Sequence, residues 1–272
     1  MMRYFTNIFI ALLLASWANL TFAAQQSDDV WVGSLRNNLF ADQMILDGEG
    51  VIELEAPSRA EDGAVVPVRI KAGFPQSKDR YIESLFLIID RNPAPLAGEF
   101  HFTPKSGRAD LALRIRVNEY SPVRVVAKTN DGKLYMTSRY VKATGGCSAP
   151  AGTDLDAAMK RLGKMRFKIR DDSGSDGSIQ TRLAISHPNL TGMQKDQQSL
   201  LFIPAHFVKK IAVSFEGEPV FSAEVGISVS ENPNFQFFFV PDKGGELTAE
   251  IEDSKQVKYT KTVKYSPQVA KH

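Results

Sequence analysis

A single cysteine, Cys147, is all the thiol chemistry that this 272-residue chain holds. One cysteine closes no internal disulfide, so burial and hydrogen bonding alone must hold the fold. Neither charge is in excess: 33 Lys and Arg stand against 31 Asp and Glu, a formal net charge of +2. That balance lacks the polybasic footprint of a protein that binds nucleic acid or anionic lipid, and both are set aside as partners. Catalytic signatures are missing as well. There is no Gly-x-Ser-x-Gly, no phosphate loop, no dinucleotide fingerprint, and no Cys-x-x-Cys or His-x-x-x-His spacing to build a metal set. His101, His187 and His206 are scattered and read as structural hydrogen-bonding residues beside turns, so neither metal nor cofactor is expected.

Long apolar runs are equally scarce. The one near the start, residues 8–18, follows Arg3 and leads to Thr21-Phe22-Ala23, which offers small residues where a signal peptidase reads. It is broken by polar residues and falls short of the roughly 20 residues that span a bilayer. Residues 1–23 therefore read as a cleaved secretory signal peptide, with no membrane anchor, and the mature chain is expected in the periplasm. In an oxidising compartment a leftover cysteine points either to pairing between chains, as in a disulfide-linked homodimer, or to a deliberately reactive thiol.

What the sequence does hold is mostly strand. Trp31, Leu35, Leu39, Ile45 and Leu46 recur at helical spacing after Asp28 and Asp29, which predicts one amphipathic helix ending near Asp47-Gly48. Short alternating runs then follow at 51–55, 65–71, 85–90, 99–103, 111–117, 123–128 and 134–142, separated by turn chemistry such as Asn130-Asp131-Gly132. A second series follows at 179–186, 210–215, 219–225, 235–240, 246–251 and 259–265. The fold class is all-β: two immunoglobulin-like β-sandwich domains with an N-terminal helix and a short linker helix. The first domain spans 24–144, a cysteine arm and linker 145–164, and the second domain 165–272. Asp154 or Thr153 caps the linker helix, and 171–178 reads as a polar flexible loop. Phe235, Phe237 and Phe239 point one way and Phe238 the other, so Phe238 is available to a partner surface.

The thiol sits in Gly145-Gly146-Cys147-Ser148, a stretch that packs poorly and reads as an exposed arm between the domains. The glycines remove side chains and admit backbone angles that other residues avoid. An exposed cysteine with an ordinary pKa of about 8.5 stays quiet until a partner supplies a cation or base. A mobile arm is a poor scaffold for nucleophilic catalysis, which needs fixed geometry.

Order and spacing of short motifs over both halves resemble the SoxYZ sulfur carrier of periplasmic thiosulfate oxidation, joined into one chain. The first half is similar to the Y subunit through residues 60–68 (Ala60-Glu61-Asp62-Gly63 onward), Arg91-Asn92-Pro93, Phe100-His101-Phe102 and Gly145-Gly146-Cys147. The second is similar to the Z subunit through His187-Pro188, Thr191-Gly192, Lys195-Asp196, residues 203–207 and Val229-Ser230-Glu231-Asn232-Pro233. The resemblance implies a cysteine on a swinging arm, Cys147, that carries sulfur intermediates between redox enzymes without turnover of its own. In the thiosulfate-oxidising carriers the arm ends the Y chain as Gly-Gly-Cys-Gly-Gly. Here Cys147 is internal and is followed by Ser148-Ala149-Pro150. The fused form more closely resembles SoxYZ-like carriers associated with quinoprotein dehydrogenases. The implied partners are thus Sox-type enzymes or a quinoprotein dehydrogenase with a c-type cytochrome. The alternative is a non-covalent accessory module for a quinoprotein (PQQ) dehydrogenase in which the thiol is unused, and a third reading is a thiol enzyme acting alone.

Overall fold

A computed structural model describes residues 30–150, 154–170 and 176–267. The signal peptide expected at 1–23, the cap expected at Asp28 and Asp29, and residues 171–175 of the polar loop lie outside the described residues.

The chain divides into a small unit ending at Gln43 and a large unit beginning at Met44. In the small unit a π-helical turn, Trp31–Leu35, runs into α1, Arg36–Phe40, and the Trp31 and Phe40 rings meet at 6.2 Å. The helix is shorter than expected. Ala41 leaves helical space at φ 49°, and Ile45–Asp47 forms strand β1, paired in parallel with Leu134, Tyr135 and Met136. A short apolar run such as Met44-Ile45-Leu46 carries no periodicity of its own, which is why the helical stripe appeared to extend through it.

The large unit has the β-sandwich class that the alternation predicts, and both of the expected sandwich halves lie within it. After β1 come β2 (Ile52–Glu55), β3 (Val66–Ala72), β4 (Ile82–Ile89), β5 (Leu96–Phe102), β6 (Leu111–Ile115), β7 (Ser121–Thr129) and β8 (Leu134–Val141). The second half adds α2 (Leu155–Met159), β9 (Met165–Arg170), β10 (Ile179–Ile185), β11 (Val208–Phe215), β12 (Glu218–Val225), β13 (Asn234–Phe239), β14 (Gly245–Asp253) and β15 (Lys258–Tyr265). Asp154 caps α2 as expected, its carboxylate accepting from the Asp156 and Ala157 amides. Strand β9 was not foreseen. Its alternating Met165, Phe167 and Ile169 lie between charged residues and are only partly buried, a weak signal beside the polar loop.

The two halves share both sheets. The nine-stranded sheet runs β1-β8-β7-β4-β5-β12-β11-β14-β15, and the six-stranded sheet runs β2-β3-β6-β13-β10-β9. In the larger sheet, β5 of the first half pairs antiparallel with β12 of the second, Phe102 opposite Phe221 and Gly98 opposite Val225. Each strand would otherwise be an open edge of its own sandwich, and pairing satisfies its free backbone groups. One hydrophobic core spans the seam. Phe221 lies 5.1 Å from Phe237, 5.5 Å from Phe102 and 6.3 Å from Phe100, ring centre to ring centre. Burying each such ring contributes about 2 to 3 kcal/mol. Phe235, Phe237 and Phe239 all face this core while Phe238 faces outward, with the Arg108 guanidinium 5.6 Å from its ring centre. This welded seam positions the cysteine segment, because residues from both halves converge where β6 ends.

Candidate functional site: a docked cysteine loop

After β8 the chain makes a parallel bridge from Lys142 to Arg59 and turns back over the end of β6. There the 145–149 segment is tied down along its length. Gly145 N donates to Asn118 O at 2.9 Å and Gly146 N to Val117 O at 3.1 Å. Cys147 N makes a long contact of 3.4 Å with Asn118 Oδ1. Side chains from both halves hold the carbonyls: Arg116 Nη1 donates to Gly146 O at 3.0 Å, Thr191 Oγ1 to Cys147 O at 2.6 Å, and Gln194 Nε2 to Ala149 O at 3.0 Å.

The glycines serve this docking. Gly145 sits at φ +71°, a left-handed conformation that costs other residues strain, and the space around its missing Cβ is open. Gly146 is required by contact, since a Cβ there would lie 2.1 Å from Gly63 O and 2.7 Å from Val117 O. Backbone packs on backbone.

The expectation of an exposed arm is therefore corrected in this conformation. Cys147 follows the last strand of the first half, yet it is 0% exposed. Gly146 is buried beside it, while Gly145 and Ser148 remain at the surface. Glycine content suggested a floppy segment. Close approach to Gly63, and hydrogen-bond partners far away in sequence, make it a fitted one. Burial pushes the thiol from the ordinary range of about 8.5 to 9.0 up to about 11, against the opposing pull of the nearby Arg116 guanidinium. A thiol so placed is protonated at neutral pH and out of reach of a second chain. Both its chemistry and an interchain disulfide require the loop to leave.

Arg116 is the residue that sequence reasoning missed. Leu111, Leu113 and Ile115 are the inward residues of β6, so alternation sends Arg116 outward, toward solvent. Instead it is 1% exposed, because the cysteine loop and residues of the second half cover it. Asn92 braces this corner, its Nδ2 donating to Arg116 O at 2.7 Å and to Ser228 Oγ at 3.0 Å. Thr191 and Gln194 were likewise given no role. Nothing local marks them, since their partners lie 44 and 45 residues earlier.

The histidines bring a second correction. His187 and His206 are brought together, ring centres 4.7 Å apart, beside Asp253, and one donor atom of each residue lies within 4.8 Å of the others. The cluster is built as a hydrogen-bonded one. Asn189 N donates to His187 Nδ1 at 3.1 Å, which places the proton of the neutral ring on Nε2. His206 Nε2 lies 2.9 Å from Asp253 Oδ2 and donates to it, because that carboxylate is held below its usual range, the bond from His206 and backbone amides outweighing its burial. His206 Nε2 thus carries its proton toward Asp253, while His187 Nε2 is buried without a hydrogen-bond partner, 4.0 Å from the same carboxylate oxygen. Burial, then the neighbouring His206, lower His187 to about 4. His101 stands apart from this pair, with Nδ1 3.0 Å from Ser84 Oγ.

Comparison with known proteins gives the family. The model of the sulfur oxidation protein SoxY matches residues 36–147, and that of the sulphur oxidation protein SoxZ matches residues 163–264. The chain is a fused SoxYZ-like protein. The SoxY match ends on Cys147 itself, and the two matches divide the chain at the segment containing α2. Among solved structures, the chain is similar to the sulfur carrier protein SoxY from Chlorobium limicola f thiosulfatophilum, with 27% identity over 47% of this chain and 99% of that one, TM-score 0.35. It is also similar to the superoxide reductase (neelaredoxin) of Ignicoccus hospitalis, at 18% identity over 34% and 78% of the two chains, TM-score 0.31. Fibronectin(III)-like modules of Clostridium thermocellum CbhA align over 82% of this chain and 98% of theirs at 11% identity, TM-score 0.23. No curated protein matches. SoxY and SoxZ are sulfur-oxidation families, and a sulfur-oxidation carrier role is the coarse function that the two matches support.

Proposed function

We propose that this SoxYZ-like protein is a periplasmic covalent carrier, exported by its N-terminal signal peptide, that holds sulfur intermediates on Cys147 and presents them to redox enzymes. The observation that carries the reading is the site itself: the chain's one thiol, on a Gly-Gly loop at the end of the SoxY match, docked by side chains of the SoxZ half. A carrier must stay unreactive between stations, and a buried thiol near pKa 11 does so. It must also open, and the hydrogen bonds that hold the loop are each worth about 1 kcal/mol net, offset by about 1 to 2 kcal/mol per ordered residue. Opening is therefore within reach of a docking partner. The swinging arm of the resemblance becomes a two-position loop: docked and protected, or released and reactive. The protein has no turnover of its own on this reading, and its partners are Sox-type enzymes or a quinoprotein dehydrogenase with a c-type cytochrome.

The internal position of Cys147, followed by Ser148-Ala149-Pro150, favours the accessory-module reading for a quinoprotein system, since an internal loop reaches less far than a chain end. Replacement of Cys147 by Ser in the native host separates the two. Loss of sulfur-dependent electron transfer to cytochrome c is expected for the carrier. Unchanged transfer by the variant would establish the accessory module instead.

A further inference from the structure

Arg116 is a buried cation with incomplete partnering. Its guanidinium donates to two neutral carbonyls, Gly146 O at 3.0 Å and Asn189 O at a long 3.4 Å, and its Nε–H is buried without a partner. A guanidinium held this way bears a desolvation penalty that neutral carbonyls offset only in part, and an adjacent anion would offset more of it. Cys147 is the group next to the carbonyl that Arg116 already holds, and charge on its sulfur favours the charged guanidinium. Asp62 and Glu231 act on the guanidinium as well and favour its charged form, while burial opposes it.

Building on the carrier reading, we propose that Arg116 is the receptor for negative charge on the cargo of Cys147, pairing through its free Nε–H with a terminal sulfonate or persulfide anion. The chemistry matches. A sulfonate presents several acceptor oxygens to a planar fork of donors, which favours guanidinium over ammonium. A persulfide terminates in a sulfur anion that a fixed cation stabilises. With the thiol uncharged, the Nε–H stays unused, so the docked loop holds anionic cargo more tightly than it holds the empty thiol.

Two reagents separate this role from a purely structural latch. Tetrathionate loads an anion: the Cys147 thiolate, its proton gone to solvent, attacks a central sulfur. A new S–S bond forms to an S–SO3 group, the central S–S bond of the reagent breaks, and thiosulfate leaves with the electron pair. Methyl methanethiolsulfonate loads a neutral S-methyl group by the same displacement, with methanesulfinate leaving. Rates of discharge by dithiothreitol are then compared in the full chain. Arg116→Gln is expected to speed discharge of the anionic adduct roughly tenfold or more relative to the neutral one, and Arg116→Lys to recover part of the difference. Equal acceleration of both adducts would reduce Arg116 to a latch and overturn the proposal. Should Arg116→Gln fail to fold, the wild-type Nε–H resonance of Arg116 serves instead. A downfield shift on loading with tetrathionate, absent with the neutral reagent, is expected, and no difference between the two would refute the pairing. These readouts use defined adducts, so they stand or fall apart from the question of what Cys147 carries in the native host.

Discussion

Replacement of Gly146 by Ala should undock the cysteine loop while leaving the sandwich folded. The added Cβ would sit 2.1 Å from Gly63 O and 2.7 Å from Val117 O, both backbone atoms in the body of the protein. No rotamer relieves such a contact, so the loop must move out. The thiol then regains its ordinary pKa near 9.0 from about 11. That change alone raises the thiolate fraction at pH 7 about a hundredfold, equivalent to about 3 kcal/mol. Exposure of a sulfur that is now fully covered adds to it. Alkylation of Cys147 by iodoacetamide at pH 7 is expected to be at least about a hundredfold faster in Gly146→Ala than in wild type, with an unchanged far-ultraviolet circular dichroism spectrum. Gly145→Ala is the internal control. Its Cβ meets open space and only the φ of +71° is strained, so a cost of about 1 kcal/mol and an acceleration of about fivefold are expected. A Gly146→Ala protein that alkylates as slowly as wild type, or no faster than Gly145→Ala, would refute the docked loop.

Other outcomes follow from the same geometry. Thr191→Val removes the 2.6 Å bond to Cys147 O and should speed alkylation about five- to tenfold at pH 7, the effect of about 1 kcal/mol, and no change would mean that this bond does not hold the loop. Because docking raises the thiol's pKa, the stabilisation it lends the docked state is complete below about 9 and is lost as pH climbs toward 11. The wild-type alkylation rate should keep rising to about pH 11, whereas that of Gly146→Ala levels off near 9, and a wild-type plateau near 9 would contradict the buried thiol. His187 has the opposite sign. Its folded pKa is depressed from 6.5 to about 4, so its contribution is present above 6.5 and lost as pH falls through 4, amounting to about 3 kcal/mol. Urea midpoints should fall between pH 7 and 4.5, and His187→Gln should flatten that slope, while an identical slope in the variant would place the acid sensitivity elsewhere.

The sequence disclosed the strands far better than the site. Period-two alternation survives single-sequence reading because each strand buries one face, and the Asn130-Asp131-Gly132 turn delivers Gly132 at φ +82° as its chemistry requires. Cys147 was found because it is the one thiol. Its setting was not legible, because Gly145-Gly146 carries the same composition whether the loop swings freely or packs on Gly63. The decisive contacts are long-range, from Arg116 to Gly146 and from Thr191 to Cys147 across the seam. The same holds for His187 and His206, far apart in the chain until β10, β11 and β14 bring them beside Asp253. Arg116 misled the alternation because the second half covers an edge that a lone sandwich would expose.

The central claim is that Cys147 carries sulfur, and intact-mass spectrometry of the protein purified from its native host, with and without reductant, tests it most directly. The account predicts a reductant-sensitive increment that matches added sulfur or a sulfur oxyanion, maps to the peptide containing Cys147, and is absent from Cys147→Ser. An unmodified thiol under every growth condition, sulfur-oxidising ones included, would contradict it.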